Sequence, residues 1–348
     1  MIIKKNCLLS LDKFIDESLY NKKLGYYMKG NPFGKKGDFI TAPNISVLFS
    51  EMIAVWVISF WESLDCPKKF NLIELGAGNG KMMAIMTSTF HKFPKFKNCC
   101  DIKILEKSKY LRRIQKKTIK DHKIEWLNDL GDLNNLPCIF IANEFFDALP
   151  IKQFIKKKNK WYERYVKFYN KIKLEYLDIP FDIKELEQKI EFKVSLKQNF
   201  IEYSPLALEY LKDITNKINL NNGGILIIDY GYLDKEMKNT IQAVSKHKYT
   251  NILNSFRNSD ITYNLSFNLI SQILRKLGSF SQTITTQKEF LIKLGIYKRA
   301  EILSRNISFK KKADIYYRIK RLIDEKQMGN LFKVMFVTNK KSKFKLGF

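Results

Sequence analysis

The stretch that most constrains this chain reads Asn71-Leu72-Ile73-Glu74-Leu75-Gly76-Ala77-Gly78-Asn79-Gly80, followed at once by Lys81-Met82-Met83-Ala84-Ile85-Met86. An apolar run, three glycines at alternate positions and a helix-compatible segment predict strand, tight turn and helix. Glycine lacks Cβ, so it tolerates positive φ and lets a ligand approach the backbone, while the helix N-terminus beyond offers free N–H groups. The arrangement suits a nucleotide-type cofactor. A dinucleotide fingerprint would place its last glycine three residues after the second, as in G-x-G-x-x-G; here the glycines are Gly76, Gly78 and Gly80.

This shorter G-x-G-x-G resembles the first motif of class I S-adenosylmethionine (SAM) methyltransferases. Those enzymes carry an acid near the end of the first strand, where it helps hold the loop and the cofactor's amino-acid end. Glu74 stands at that position.

At 348 residues and 45% hydrophobic content, the chain can bury a proper core in one large or two modest domains. Its 62 Lys+Arg against 35 Asp+Glu give a formal charge of +27, which would attract nucleic acid, anionic membrane or an acidic protein. The basic residues are spread along the chain, so charge alone assigns no partner. Cys7, Cys66, Cys99, Cys100 and Cys138 form no C-x-x-C pair, and His91, His122 and His247 lie far apart, so reduced thiols and no structural metal are expected. The start, Met1-Ile2-Ile3-Lys4-Lys5-Asn6, has neither a signal-peptide nor a transit-sequence pattern, and a bacterial cytoplasm is the expected compartment.

Along the chain, Leu8, Leu11, Phe14, Ile15 and Leu19 predict an amphipathic helix over residues 8–20. The Gly- and Pro-rich stretch from Gly30 to Ser46 reads as a binding lid. Met52–Trp61 reads as a buried helix, too short to span a membrane. Asp101–Glu106 is a second strand ending in an acid, where Glu106 can accept both ribose hydroxyls; a helix over 110–119 and a third strand near Glu125–Asp129 follow. Asp129 is either an adenine contact or a turn acid. Cys138–Ala142 is a fourth strand, and it delivers Asn143-Glu144-Phe145-Phe146-Asp147-Ala148-Leu149-Pro150 to the same carboxyl edge. An inserted β region, a helix near Leu206–Ile218 and a fifth strand, Ile225–Gly231, follow; late strands are expected near Ser279–Ile284 and Lys333–Thr338, and a frayed end over Lys340–Phe348. The domain reading is 1–70 for N-terminal helices and lid, 71–150 for a Rossmann-like cofactor core, 151–205 for the β insertion and 206–348 for the rest of the sheet with a helical insertion.

Several motifs occur in one order: Gly37-Asp38-Phe39-Ile40-Thr41-Ala42-Pro43, Glu74–Gly80, Asn143–Pro150, Ile228-Asp229-Tyr230-Gly231 and Met328–Lys333. With these the chain resembles the MidA family of SAM-dependent methyltransferases, known in mitochondria as a complex I assembly factor that methylates arginine. The resemblance implies an α/β fold with a class I methyltransferase sheet, helices on both faces, and α+β insertions after strands four and six forming a cap. It implies SAM as cofactor, bound by Gly37, Asp38, Thr41, Pro43, Glu74, Gly76, Gly78, Gly80, Glu106, Asp129 and Asn143. It further implies a protein substrate, a respiratory complex I subunit, with no nucleic-acid partner and no membrane span. Glu144 and Asp147 would orient an arginine guanidinium, with Asp229 a third acceptor-side acid. The chain departs from the family at Ala77, where proline is usual, at Asn44, where an acid is common, and at Asn264 and Ser266, where a His and an Asp are usual. The last pair leaves open a second reading, a SAM-binding assembly chaperone with little or no methyl transfer.

Overall fold

The computed structural model describes residues 7–30, 41–120, 123–169, 173–245, 248–278 and 280–348. They fall into two compact units, one from Phe33–Phe145, Asp213–Gly231 and Ser279–Phe348, the other from Met1–Pro32, Phe146–Lys212 and Tyr232–Gly278.

The first unit is built on a sheet whose strands, numbered along the chain, are β1 Phe70–Leu75, β2 Cys100–Leu105, β3 Ile124–Leu127, β4 Cys138–Asn143, β5 Gly223–Tyr232, β6 Phe280–Thr286 and β7 Phe332–Asn339. Their order is β6-β7-β5-β4-β1-β2-β3. All run parallel except β7, which is antiparallel to both β5 and β6. The order reverses between β1 and β4, and in open α/β sheets such a reversal leaves a crevice at the carboxyl ends of the strands. Every residue of β1 is buried, including the polar Asn71 and Glu74, as befits a strand covered on both faces.

Helices cover this sheet. Val47–Ser63 starts at Ser46, whose Oγ accepts from Leu48 N at 3.3 Å, and it buries Trp56, Phe60 and Trp61. Among the described residues no helix is long and apolar enough to cross a membrane. After β6 the chain runs through Gln287–Lys293, Ile296–Leu303 and Phe309–Ile323 before β7; these helices belong to the same unit as the sheet.

Two local expectations are corrected. The helix predicted over 8–20 begins only at Leu11, because Cys7–Ser10 pairs as a strand with Lys160–Phe168. The pairing satisfies backbone groups that the helical spacing of Leu8 could not foretell. The end of the chain is docked rather than frayed: Phe344 packs 5.6 Å from Trp56 and 5.2 Å from Phe60, Phe348 packs 5.4 Å from Phe290, and Trp56 Nε1 donates to Leu346 O at 3.1 Å. The lysines around these rings, Lys340, Lys341, Lys343 and Lys345, hide an apolar spacing that only the neighbouring aromatic cluster makes meaningful.

The second unit holds the β insertion. Lys160–Phe168 pairs with Cys7–Ser10, Lys152–Lys157 and Leu174–Pro180, and Phe200–Tyr203 extends the sheet beside Lys152–Lys157. A smaller sheet centres on Gln242–Ser245. Phe344→Ala is expected to lower the stability of the whole chain by about 2 kcal/mol, since the ring is half-buried against three others. Urea unfolding checks this as a shifted midpoint with an unchanged slope; an unshifted midpoint would mean the tail is not docked.

Candidate active site

The carboxyl ends of β1 and β4 are adjacent, Leu75 lying opposite Ala142. The turn after β1 is a run of left-handed glycines, with φ of 65° at Gly76, 53° at Gly78 and 78° at Gly80, which leads into the helix Lys81–Phe90. A Cβ on Gly76 would stand 2.8 Å from the Phe145 ring, so both conformation and space demand glycine. Asn79 stiffens the turn: its Oδ1 accepts from Lys81 N at 3.2 Å, and its Nδ2 donates to Asn44 Oδ1 at 3.2 Å. Asn44 thus meets a donor where the family often has an acid.

A cavity opens over this turn, lined by Thr41, Pro43, Glu74, the Gly76–Asn79 backbone, Met82, Asn143 and Glu144. Two of its polar walls are incomplete. Glu74 Oε2 and Asn143 Oδ1 are buried acceptors with no hydrogen-bond donor from the protein. Burial, with repulsion from Glu106, pushes the Glu74 carboxyl up to about 8. A buried acceptor without a donor costs roughly 1–3 kcal/mol, so the cavity is poised for a ligand rich in donors or positive charge.

Glu106 follows β2 and is nearly enclosed. Its Oε1 accepts from Ser108 N at 2.9 Å and its Oε2 from Gln115 Nε2 at 3.0 Å; burial nevertheless raises its pKa. Gln115 was not singled out from sequence, because a glutamine inside a lysine-rich helix pattern reads as a surface residue. It is fully buried, and its amide also donates to Gly78 O at 2.9 Å while its Oε1 accepts from Trp126 Nε1 at 2.8 Å. One side chain thereby ties the glycine turn, the acid after β2 and strand β3 together. Arg112 adds a second tie, donating to Glu106 O at 2.6 Å and Leu127 O at 2.7 Å.

Asp129 takes the turn role: it is exposed, and its Oδ1 accepts from Gly131 N at 2.7 Å to cap the short Leu130–Asp132 turn. Gly37 and Asp38 lie outside the described residues; of their loop, Thr41 and Pro43 line the cavity.

Glu144 is held in an uncommon backbone conformation, φ 51°, with its N–H donating to Ile228 O at 2.9 Å. No helix follows it, so it is not a helix cap. Its Oε2 accepts from Tyr230 OH at 3.0 Å, its Oε1 from Asn143 Nδ2 at 3.3 Å, and Ala42 N–H also bonds its carboxylate. Burial still outweighs these bonds and raises its pKa. Asp229, fully buried on β5, accepts from Tyr230 N at 2.9 Å. Asp147 belongs to the other unit, where its carbonyl accepts from Tyr263 N at 3.3 Å and its charge helps raise the pKa of Tyr27, itself bonded to Asp260 at 2.7 Å. In that unit Asn264 N donates to Thr240 Oγ1 at 2.9 Å, and Ser266 Oγ caps the helix Phe267–Leu277 by accepting from Leu269 N at 3.2 Å.

Residues 52–285 match the family described as S-adenosyl-L-methionine-dependent methyltransferases. The chain belongs to this family. It is similar to the protein arginine methyltransferase NDUFAF7, mitochondrial, of Xenopus tropicalis, 30% identical over 377 residues, covering 96% of this chain and 83% of that protein. The Homo sapiens protein of the same name is 28% identical over 328 residues, covering 86% and 73%. The fold is shared with a COG1565 superfamily member from Burkholderia thailandensis bound to S-adenosyl-homocysteine: TM-score 0.80 at 22% identity, over 98% of this chain and 90% of that one. The residues present fit the family's cofactor. SAM carries an ammonium group and ribose hydroxyls, which match the orphaned Glu74 and Asn143 acceptors and the acid at the end of β2.

Two outcomes are expected. Glu106→Ala and Gln115→Leu should each weaken SAM binding by roughly tenfold to a hundredfold, the first by losing a charged acceptor and the second by releasing the turn; calorimetry on folded variants with unchanged affinity would contradict the assignment. Glu74 sets a pH dependence. Its pKa in the ligand-free protein is raised, so the folded state keeps a proton that the unfolded chain releases, and stability falls as pH rises from the ordinary carboxylate range through about 8. Glu74→Gln should reduce that slope in thermal melts, leaving the share of the other buried acids with raised pKa, Glu106, Glu144 and Glu202, and in the wild type a cation bound there should release a proton near neutrality.

Proposed function

We propose that this chain transfers a methyl group from SAM to an arginine side chain of a protein. The observation that carries the reading is Glu144, a carboxylate fixed on the wall of the cofactor cavity by Tyr230 and Asn143. It is supported by relatives named protein arginine methyltransferase along nearly the whole chain.

The chemistry follows from charge. When bound, SAM supplies an electrophilic methyl group on its sulfonium. A guanidinium has a pKa above about 12, so its cation is a poor nucleophile until a carboxylate fixes its fork and holds positive charge away from one nitrogen. Glu144 offers that carboxylate with both oxygens already oriented, and its backbone strain is the kind concentrated at functional sites. Positioning of this kind can supply roughly 7–11 kcal/mol of a barrier without further acid–base help. Asp229 is a weaker candidate, since it is wholly enclosed. Asp147 is kept as an acceptor-side proposal of the second unit.

The substrate we propose is a subunit of respiratory complex I, as the family resemblance implies. Free thiols at all five cysteines support a reducing compartment such as the bacterial cytoplasm. A second reading, a SAM-binding assembly chaperone, is favoured by Asn264 and Ser266, which stand where the family usually carries a His and an Asp; the Ser266 hydroxyl serves as a helix cap.

The test is incubation with labelled SAM and the host's own lysate, comparing wild type with Glu144→Gln. Wild type should label one protein on arginine, and the variant should lose roughly tenfold to a hundredfold in kcat/KM, the worth of one charge-assisted bond. Because the raised pKa keeps Glu144 protonated above the usual carboxylate range, the acid limb of the wild-type pH profile should lie above that range and vanish in the variant. Equal labelling by both proteins would remove Glu144 from the chemistry. Binding of SAM without any labelling would replace the enzyme by the chaperone.

A further inference from the structure

The chain's excess of positive charge is not used by the cofactor cavity, whose walls are acidic. It has a local concentration instead. Between Arg305 and Arg321 seven basic side chains face a single acid, Asp314, and that acid is taken up by Arg318 at 2.7 Å. Most of this stretch is the helix Phe309–Ile323, which has no acid in its first turn and buries Ile319, Leu322 and Ile323 against the rest of its unit.

The exposed face of this helix takes in its whole first turn, Phe309, Lys310, Lys311 and Lys312, and continues through Ala313, Tyr317 and Lys320, while Ile319, Leu322 and Ile323 are buried. That face is open, with Phe309 86% and Tyr317 65% exposed. An aromatic ring so exposed has no packing reason to be there. The rings sit singly among lysines and form no contiguous apolar centre, whereas protein docking sites concentrate theirs in a desolvated core. A lipid headgroup layer needs no such centre: it accepts separate rings to a shallow depth while anionic headgroups meet the surrounding cations.

We propose that the exposed face of Phe309–Ile323 docks the protein peripherally on an anionic lipid surface. Phe309 and Tyr317 enter the headgroup boundary, and Lys310, Lys311, Lys312 and Lys320 pair with lipid phosphates. The attachment is reversible and weakens with salt, because the charges are solvent-exposed and screened within about 10 Å at 0.1 M. It does not depend on the arginine-methylation reading, since none of these residues lines the cofactor cavity.

The experiment is co-sedimentation of the full chain with vesicles of phosphatidylcholine alone, or of phosphatidylcholine with about a third phosphatidylglycerol. Binding is expected only with the mixed vesicles. Changing Lys310, Lys311 and Lys312 together to Glu should weaken it by about a hundredfold or more, and Phe309→Ser by about tenfold. Because all four side chains are exposed, the variants should melt like wild type; Tyr317→Ser is a second probe of the ring contribution. The control changes Lys340, Lys341 and Lys343 to Glu, an equal loss of net charge elsewhere, and should keep affinity within about threefold. No sedimentation with anionic vesicles would overturn the proposal. So would an equal loss in the control, which would assign the effect to overall charge, or unchanged binding by both ring variants. Retention by RNA or an acidic protein that depends on the same residues, with no retention by vesicles, would also overturn it.

Discussion

A carboxyl oxygen sealed from water with no protein donor to meet it is the constraint around which the first unit is arranged. Glu74 Oε2 lies near the end of a fully buried strand, close enough to Glu106 for that second acid to disfavour its charge. Left alone, Glu74 holds its proton, and the folded state is destabilised as pH rises through about 8. A ligand that brings positive charge to the cavity relieves the cost, so cofactor affinity and the weakness of the ligand-free site have one cause.

The surroundings keep that cost from collapsing the site. The glycine turn holds the chain away from Glu74 in conformations few other residues adopt, and Gln115 ties the Gly78 carbonyl, Glu106 and Trp126 together. A fully satisfied buried network is rigid because each member fixes its neighbour's geometry. Across the strand-order reversal, Glu144 is fixed in the same manner by Tyr230, Asn143 and the Ala42 N–H. The two sides differ in one respect: Glu144 is already provided with donors, and Glu74 is not. A provided carboxylate suits an acceptor that must be oriented, and an orphaned one suits a cofactor that must be held.

The second unit follows a comparable rule away from the cavity. Gln153 donates to Glu202 at 2.7 Å and to Asn239 at 2.8 Å, Thr240 donates to the same Glu202, and burial raises that carboxyl to about 7. Thr240 Oγ1 also accepts from the backbone N–H of Asn264, at a position where the family usually carries histidine. That loop bond uses main-chain atoms of residue 264, so it is open to asparagine and histidine alike.

Sequence by itself determined the sheet and the cofactor class. Mainly apolar runs of strand length ending in acids or glycines predict covered strands, and alternate glycines at Gly76, Gly78 and Gly80 permit the left-handed backbone that the turn adopts. These are local demands, readable from neighbours along the chain. Tertiary structure alone decided the roles that depend on distant partners. Cys7–Ser10 became a strand because Lys160–Phe168 offered it an edge, and the tail docked because Trp56, Phe60 and Phe290 left room for its rings. Gln115 became the tie of the cofactor turn because folding removed it from water and faced it with three polar groups. Whether a buried polar atom meets a donor is a property of the packed interior, and no spacing along the chain records it.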